Sequence, residues 1–287
     1  MNTRKRLMKL LFFAGVTILS VSCKKNDTGE PGKPAEPVRT VPGQLTGTAT
    51  KVSIGAAGGS IAMPDHYISI QVPAGAVDAD TEFSIQEVEP DAIVGTGRLF
   101  RILPEDIALK KPVEITFHYT DTDIAGGNED YLYPCFQDSN GLWHKVTDCT
   151  LDKAGKTLKV VTTHFSDWSV FREVSIHSPK PEIGANEERD LEAFVLDEYK
   201  ENDQSEDGLL FASALKPEQI VEWKIIYGGG SISGGKNPKI TYKAPDTDSR
   251  MEVMIEVTVK NLVKRSDPKR PGTGGLVIVR RTLTILP

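Results

Sequence analysis

The chain is poor in the features that make a catalytic chemistry easy to read. It holds three cysteines and five histidines in 287 residues. No nucleophile-elbow motif and no metalloprotease signature occur in it. The one glycine run, Gly228-Gly229-Gly230, follows a strand pattern and precedes no helix, so it reads as a turn and not as a phosphate cradle. No cofactor and no metal are expected. A basic excess is also missing: 34 Lys and Arg stand against 40 Asp and Glu, a formal charge of −6. Residues 1–22 carry Arg4, Lys5, Arg6 and Lys9 and no acid, so the remainder sits near −10. Binding phosphates along a nucleic acid wants a basic footprint, so nucleic acid is not expected as a partner. No helix longer than one turn is signalled in the first globular stretch.

What is present begins with an address. A basic n-region, an apolar core at 10–19 too short to span a bilayer, and then small residues leading to Cys23 read as an export signal. The arrangement resembles a bacterial lipoprotein signal, in which the cysteine is acylated and becomes the first mature residue. Leu19 lies four residues before Cys23, with Ser20, Val21 and Ser22 between, which resembles the loose lipoboxes of Bacteroidota. Acyl chains such as palmitate on Cys23 would anchor the protein in a membrane, each buried methylene adding about 0.8 kcal/mol. An ordinary cleaved signal followed by a chance cysteine is the competing reading. The expected location is the cell envelope, as an outer-membrane lipoprotein, with the periplasmic or surface face open. Residues 23–45, with Pro31, Pro34, Pro37 and Pro42, have no apolar period and are expected to be an extended, disordered tether.

From residue 46 onward, short alternating runs are separated by Gly, Pro, Asn and Asp, which predicts an all-β chain. Ile68, Ile70 and Val72 face one side of a strand at 67–72. Phe83 and Ile85, and Val113, Ile115 and Phe117, do the same in later runs. Asp138-Ser139-Asn140-Gly141 predicts a hairpin turn with glycine where positive φ is cheap. The expected layout is two β-sandwich domains in tandem, 46–173 and 174–287, after the signal (1–22) and the tether (23–45).

In the first half, Gly58-Gly59-Ser60-Ile61, Ile68-Ser69-Ile70-Gln71-Val72-Pro73-Ala74-Gly75-Ala76, the run at 109–117 and His164-Phe165-Ser166 appear in order. Together they resemble the ZU-type domain shared by zonula occludens proteins, UNC-type netrin receptors and ankyrins. The resemblance implies a β-sandwich and, in most members, an interaction or scaffolding role. In a few relatives the same tripeptide cuts itself. Ser166 Oγ would attack the Phe165 carbonyl, with His164 as general base, and water would hydrolyse the resulting ester. That chemistry needs a strained peptide bond. The alternative is structural: Phe165 as an aromatic plug, His164 and Ser166 as a hydrogen-bonding corner.

Cys135 and Cys149 remain as a disulfide candidate, which an exported compartment permits. If the 138–141 turn is tight, Cys135 falls near His144 and Cys149 lies several residues past its partner position. A bridge then needs a bulge or a neighbouring strand. A zinc site from Cys135, His144 and Cys149 lacks close ligand pairs. Acidic residues around 121–130 could offer oxygen ligands to calcium, but a solvated loop is the simpler reading. The acidic run at 197–207 reads as an exposed excursion.

The second half orders Trp223, a Gly-rich turn, Ser231-Ile232-Ser233, Tyr242-Lys243-Ala244-Pro245 and an alternating Val/Ile strand. This resembles bacterial immunoglobulin-like domains, whose tryptophan packs between the sheets, though without their usual cysteine pair. The expectation is a non-enzymatic envelope protein contacting an extracellular protein or glycan, with self-cleavage between Phe165 and Ser166 as the alternative.

Overall fold

The computed structural model describes residues 37–89, 98–124, 129–199, 207–262 and 276–287. The signal, Cys23, the first part of the tether and the acidic stretch 200–206 lie outside the described residues. In chain order come β1 (Leu45–Ile54), β2 (Gly59–Ala62), β3 (Ile68–Val72), β4 (Thr81–Val88), β5 (Leu99–Leu103) and β6 (Val113–His118). One helical turn, α1 (Asp121–Ile124), and a 3-10 turn (Glu129–Tyr131) lead to β7 (Leu132–Gln137), β8 (Trp143–Val146), β9 (Cys149–Asp152), β10 (Thr157–Thr162) and β11 (Asp167–Arg172). Then follow β12 (Val174–His177), β13 (Glu182–Gly184), β14 (Glu188–Tyr199) and β15 (Asp207–Ala214). A second 3-10 turn (Pro217–Gln219) precedes β16 (Ile220–Tyr227), β17 (Ser231–Ser233), β18 (Lys239–Lys243), β19 (Met251–Val259) and β20 (Val277–Leu286). The all-β expectation is met, and no described helix is long and apolar enough to cross a membrane.

Period-two sequence places these strands. Ile68, Ile70 and Val72 are at most 1% exposed, and Phe83, Ile85, Val113, Ile115 and Phe117 are fully buried. On β3 and β6 their neighbours in the alternation are more exposed, as a pleated strand requires. The sheet β2-β3-β6-β10-β9 faces one end of a larger sheet, and side chains from both inner faces make the first core. The sheet β13-β20-β19-β16 closes a second core with Leu191 of β14 and Ile240 and Tyr242 of β18. Each large aliphatic or aromatic side chain so buried contributes about 1.5–3 kcal/mol.

The expected boundary at 173/174 is crossed by apolar packing and by a sheet: Tyr131 belongs to the second core, and a third cluster joins Trp143 and Phe171 to Phe194 and Leu210. One eleven-stranded sheet runs β1-β4-β5-β11-β7-β8-β15-β14-β18-β17, with β12 beside β14. The join is β8 against β15, with Lys145 opposite Gly208 and His144 opposite Leu209. The described residues accordingly belong to one compact unit. The physical reason is edge pairing: the strand edge of β8 not taken by β7 finds a partner in β15.

The tether also ends earlier than expected. The Val38 amide donates to Leu210 O at 2.7 Å, and the Trp143 amide donates to Val38 O at 3.0 Å. Pro37 bridges Phe211 and Arg39 bridges Leu142. Residues 37–40 thus form a strap wedged between β15 and β8, with Val38 7% exposed. Val38 joins a third apolar cluster with Trp143, Phe171, Phe194 and Leu210. An apolar residue flanked by a buried hydroxyl was enough to seat a segment that composition alone marks as linker.

Trp223 departs from its expected role. It is half-buried beside the second core, and its indole donates to Asn237 O at 3.0 Å. The fully buried tryptophans are Trp143 and Trp168, in the first half.

Candidate functional site

The His164-Phe165-Ser166 corner lies between β10 and β11, where the chain leaves the five-stranded sheet for the large one. Phe165 is 3% exposed and meets Phe83 edge-on, with ring centroids 5.8 Å apart. Ser166 O accepts from the Ile102 amide at 3.0 Å, and Ser166 Oγ donates weakly to Asp167 O at 3.5 Å. His164 turns toward Thr162: its amide donates to Thr162 Oγ1 at 3.2 Å, and its Nδ1 lies 3.1 Å from the same hydroxyl. Its ring meets Phe136 at 4.4 Å and Trp168 at 5.7 Å. Burial pushes the His164 imidazole below its ordinary value, and the nearby His144 charge adds to the effect.

No hydrogen bond joins His164 to Ser166; His164 bonds to Thr162 and Ser166 Oγ to Asp167 O instead. Among the described residues, the non-glycine positions with positive φ are His66, Lys156, Asn186 and Asn261, and none lies at the corner. Phe165 is the core plug of the corner.

Beside the corner opens a cleft of about 560 Å³, bordered by Arg101, Glu105, Asp106, Phe136, Ser139 and Ser166. Arg101 grips Asp167 through two hydrogen bonds, Nε to Oδ1 at 2.7 Å and Nη2 to Oδ2 at 2.8 Å. The Asp167 side chain is 4% exposed and that of Arg101 20%, so this is a part-buried bidentate pair of the strong kind. Bonding to Asp167 holds the Arg101 guanidinium above its usual range. At the other rim, Asp138 Oδ2 is 3.2 Å from His144 Nε2, and His144 stacks on Phe136 at 4.8 Å. Burial pushes Asp138 up, but the Leu142 amide, the His144 ring and the Asn140 amide outweigh it and hold the carboxyl below the usual range.

The chain matches no protein-family model, and no curated protein matches it.

Cys135 and Cys149 are buried and are not bridged to each other. The turn at 138–141 puts Cys135 opposite Lys145, one residue from the expected partner His144, and places Cys149 on another sheet. Cys135 looks into the cluster with Trp143 and Phe171, while Cys149 belongs to the first core, so the two thiols serve different apolar regions. No group of three or more His, Cys, Asp or Glu positioned for a metal ion occurs among the described residues. That covers the zinc reading of Cys135, His144 and Cys149.

Arg101, Glu105 and Asp106 had not been singled out from the sequence. A signal was there: Arg101 interrupts the apolar run 99–103, and a charge at such a position must find a partner.

Proposed function

We propose that the chain is a non-enzymatic cell-envelope protein, anchored through a lipid on Cys23, that presents one rigid β body to an extracellular protein or glycan. The observation that supports this reading is the continuous eleven-stranded sheet. Two cores that share a sheet hold their surfaces in fixed register, which suits a display body better than a hinged catalytic pair. The cleft beside residues 164–167, with Glu105 and Asp106 at its mouth, is the concave surface offered for contact. The ZU-like and immunoglobulin-like resemblances agree with such a role, and fold alone does not fix it.

The anchoring half is tested by growing cells with labelled palmitate and comparing the native chain with Cys23→Ala. Label in the membrane fraction, lost on substitution, is the expected result. Unlabelled native protein sinks the anchor. The contact half is tested by probing glycan and envelope-protein arrays with the full chain carrying Cys23→Ser, beside a Glu105→Lys/Asp106→Lys variant of it. Specific binding weakened by the charge reversal supports the cleft. Equal binding by both places the contact elsewhere.

A further inference from the structure

A strand at the end of a sheet leaves one row of backbone donors and acceptors open to another chain. Most such ends are short here: β2, β9, β13 and β17 have three or four residues each. β1 is longer, but a bulge and Gly47 at positive φ interrupt it. β16 differs. It brings eight residues to the end of the sheet β13-β20-β19-β16, and among the described residues β19 is its one paired neighbour.

The apolar side chains of β16 show an uncovered flank. Trp223 and Ile225 lie beside the second core yet stay half-buried, whereas Val257 and Ile255, opposite them on β19, are fully buried. Ile226 and Tyr227, at the end of the strand, are each 43% exposed.

On the other face, charges set a register. Arg280 of β20, Glu256 of β19 and Lys224 of β16 stand opposite one another in consecutive strands, in the order plus, minus, plus. Arg280 Nε donates to Glu256 Oε2 at 2.8 Å. With no strand beyond it, the Lys224 ammonium reaches along its own strand to Glu222 at 2.6 Å. A second β16, laid antiparallel with a two-fold axis at Trp223, would set Glu222 of each copy opposite Lys224 of the other. The row would then run plus, minus, plus, minus across the seam. Moving the axis to Lys224 or to Glu222 sets that residue against itself, and like charges directly opposite are unfavourable. Lysine on an edge strand discourages pairing with a foreign strand. Glu222, two residues away, makes this strand complementary to its own copy.

We infer that β16 is a self-association edge, at which two copies of this chain pair antiparallel about Trp223 and join their four-stranded sheets into one. The contact is isologous, each copy giving and receiving the same groups. It draws on no residue of the cleft beside residues 164–167.

The test follows the molar mass of the full chain carrying Cys23→Ser by sedimentation equilibrium over a wide range of concentration. Beside it run Glu222→Lys, Lys224→Glu and an equimolar mixture of these two variants. The expected result is a dimer in the parent chain and a dissociation constant raised about tenfold or more in either variant alone. The mixture should recover the dimer, because unlike charges again stand opposite in the heterodimer. A parent chain that stays monomeric at every concentration overturns the inference and leaves the edge to a strand of another protein. A dimer that neither variant weakens, or one that the mixture does not restore, overturns it as well. Should Lys224→Glu fail to fold beside Glu256, the parent chain and Glu222→Lys decide: a dimer weakened by the substitution supports the inference, and a monomeric parent or an unweakened dimer overturns it.

Discussion

The indole N–H of Trp143 donates to Thr40 Oγ1 at 2.9 Å, joining residues 103 positions apart in the chain. Gln137 Nε2 reaches the same hydroxyl at 2.7 Å and the Thr40 carbonyl at 2.8 Å. Gly141, at φ +79°, lies so close that a Cβ there would run into the Thr40 carbonyl. The strap is therefore held by buried, directional bonds as well as by Val38. Replacing Thr40 by Val keeps the shape and removes the acceptor. The expected cost is about 1–3 kcal/mol, because buried donors on Trp143 and Gln137 lose it. A lower urea midpoint with an unchanged m-value is the check.

Removing one partner of the Arg101–Asp167 pair should cost more than removing both. Arg101→Met leaves the Asp167 carboxylate buried without its cation, an effect of about 3–5 kcal/mol. Adding Asp167→Asn should recover part of that loss. A double-mutant cycle in chemical denaturation measures the coupling, and additive losses would show that the pair acts through packing alone.

Stability should depend on pH through His164. Its folded value lies below the ordinary 6.5, mainly through burial. Between the two values the unfolded chain binds more protons, so stability rises with pH across that window and is lost as pH falls below about 6.5. Urea midpoints on either side of this value should differ in the native chain and differ less in His164→Gln. An unchanged difference assigns the effect to other groups.

The intact chain should stay in one piece. With His164 bonded to Thr162 and no hydrogen bond to Ser166, denaturing mass measurement after long incubation at neutral pH should give one full-length species, identical in form for Ser166→Ala. Two fragments meeting at Phe165 and Ser166, abolished by the substitution, would make the corner self-cleaving.

Most strands were legible because a half-buried strand writes its burial in period two. The runs ending at Val72 and Phe117 needed nothing beyond alternation. The longer-range pairings were not legible. β15 hid behind the acidic stretch before it, and its role as the bridge to β8 depends on an edge no local pattern announces. Val38 is a single apolar residue among prolines, so its burial follows from the groove that receives it. Trp223 misled for a related reason: its neighbours fit a familiar motif, but the core it adjoins is filled by Tyr242 and the valines of β19. At the corner, adjacency in sequence suggested chemistry between His164 and Ser166. The buried Phe165 between them and the hydroxyl of Thr162 account for how the two are held instead.

The strap also decides where a mechanical load enters. Tension applied to the chain ahead of Pro37 reaches the fold at the seam of β8 and β15, not at the end of either core. A pull from that side is shared between both halves from the first hydrogen bond, and the seam should yield before either core is drawn apart.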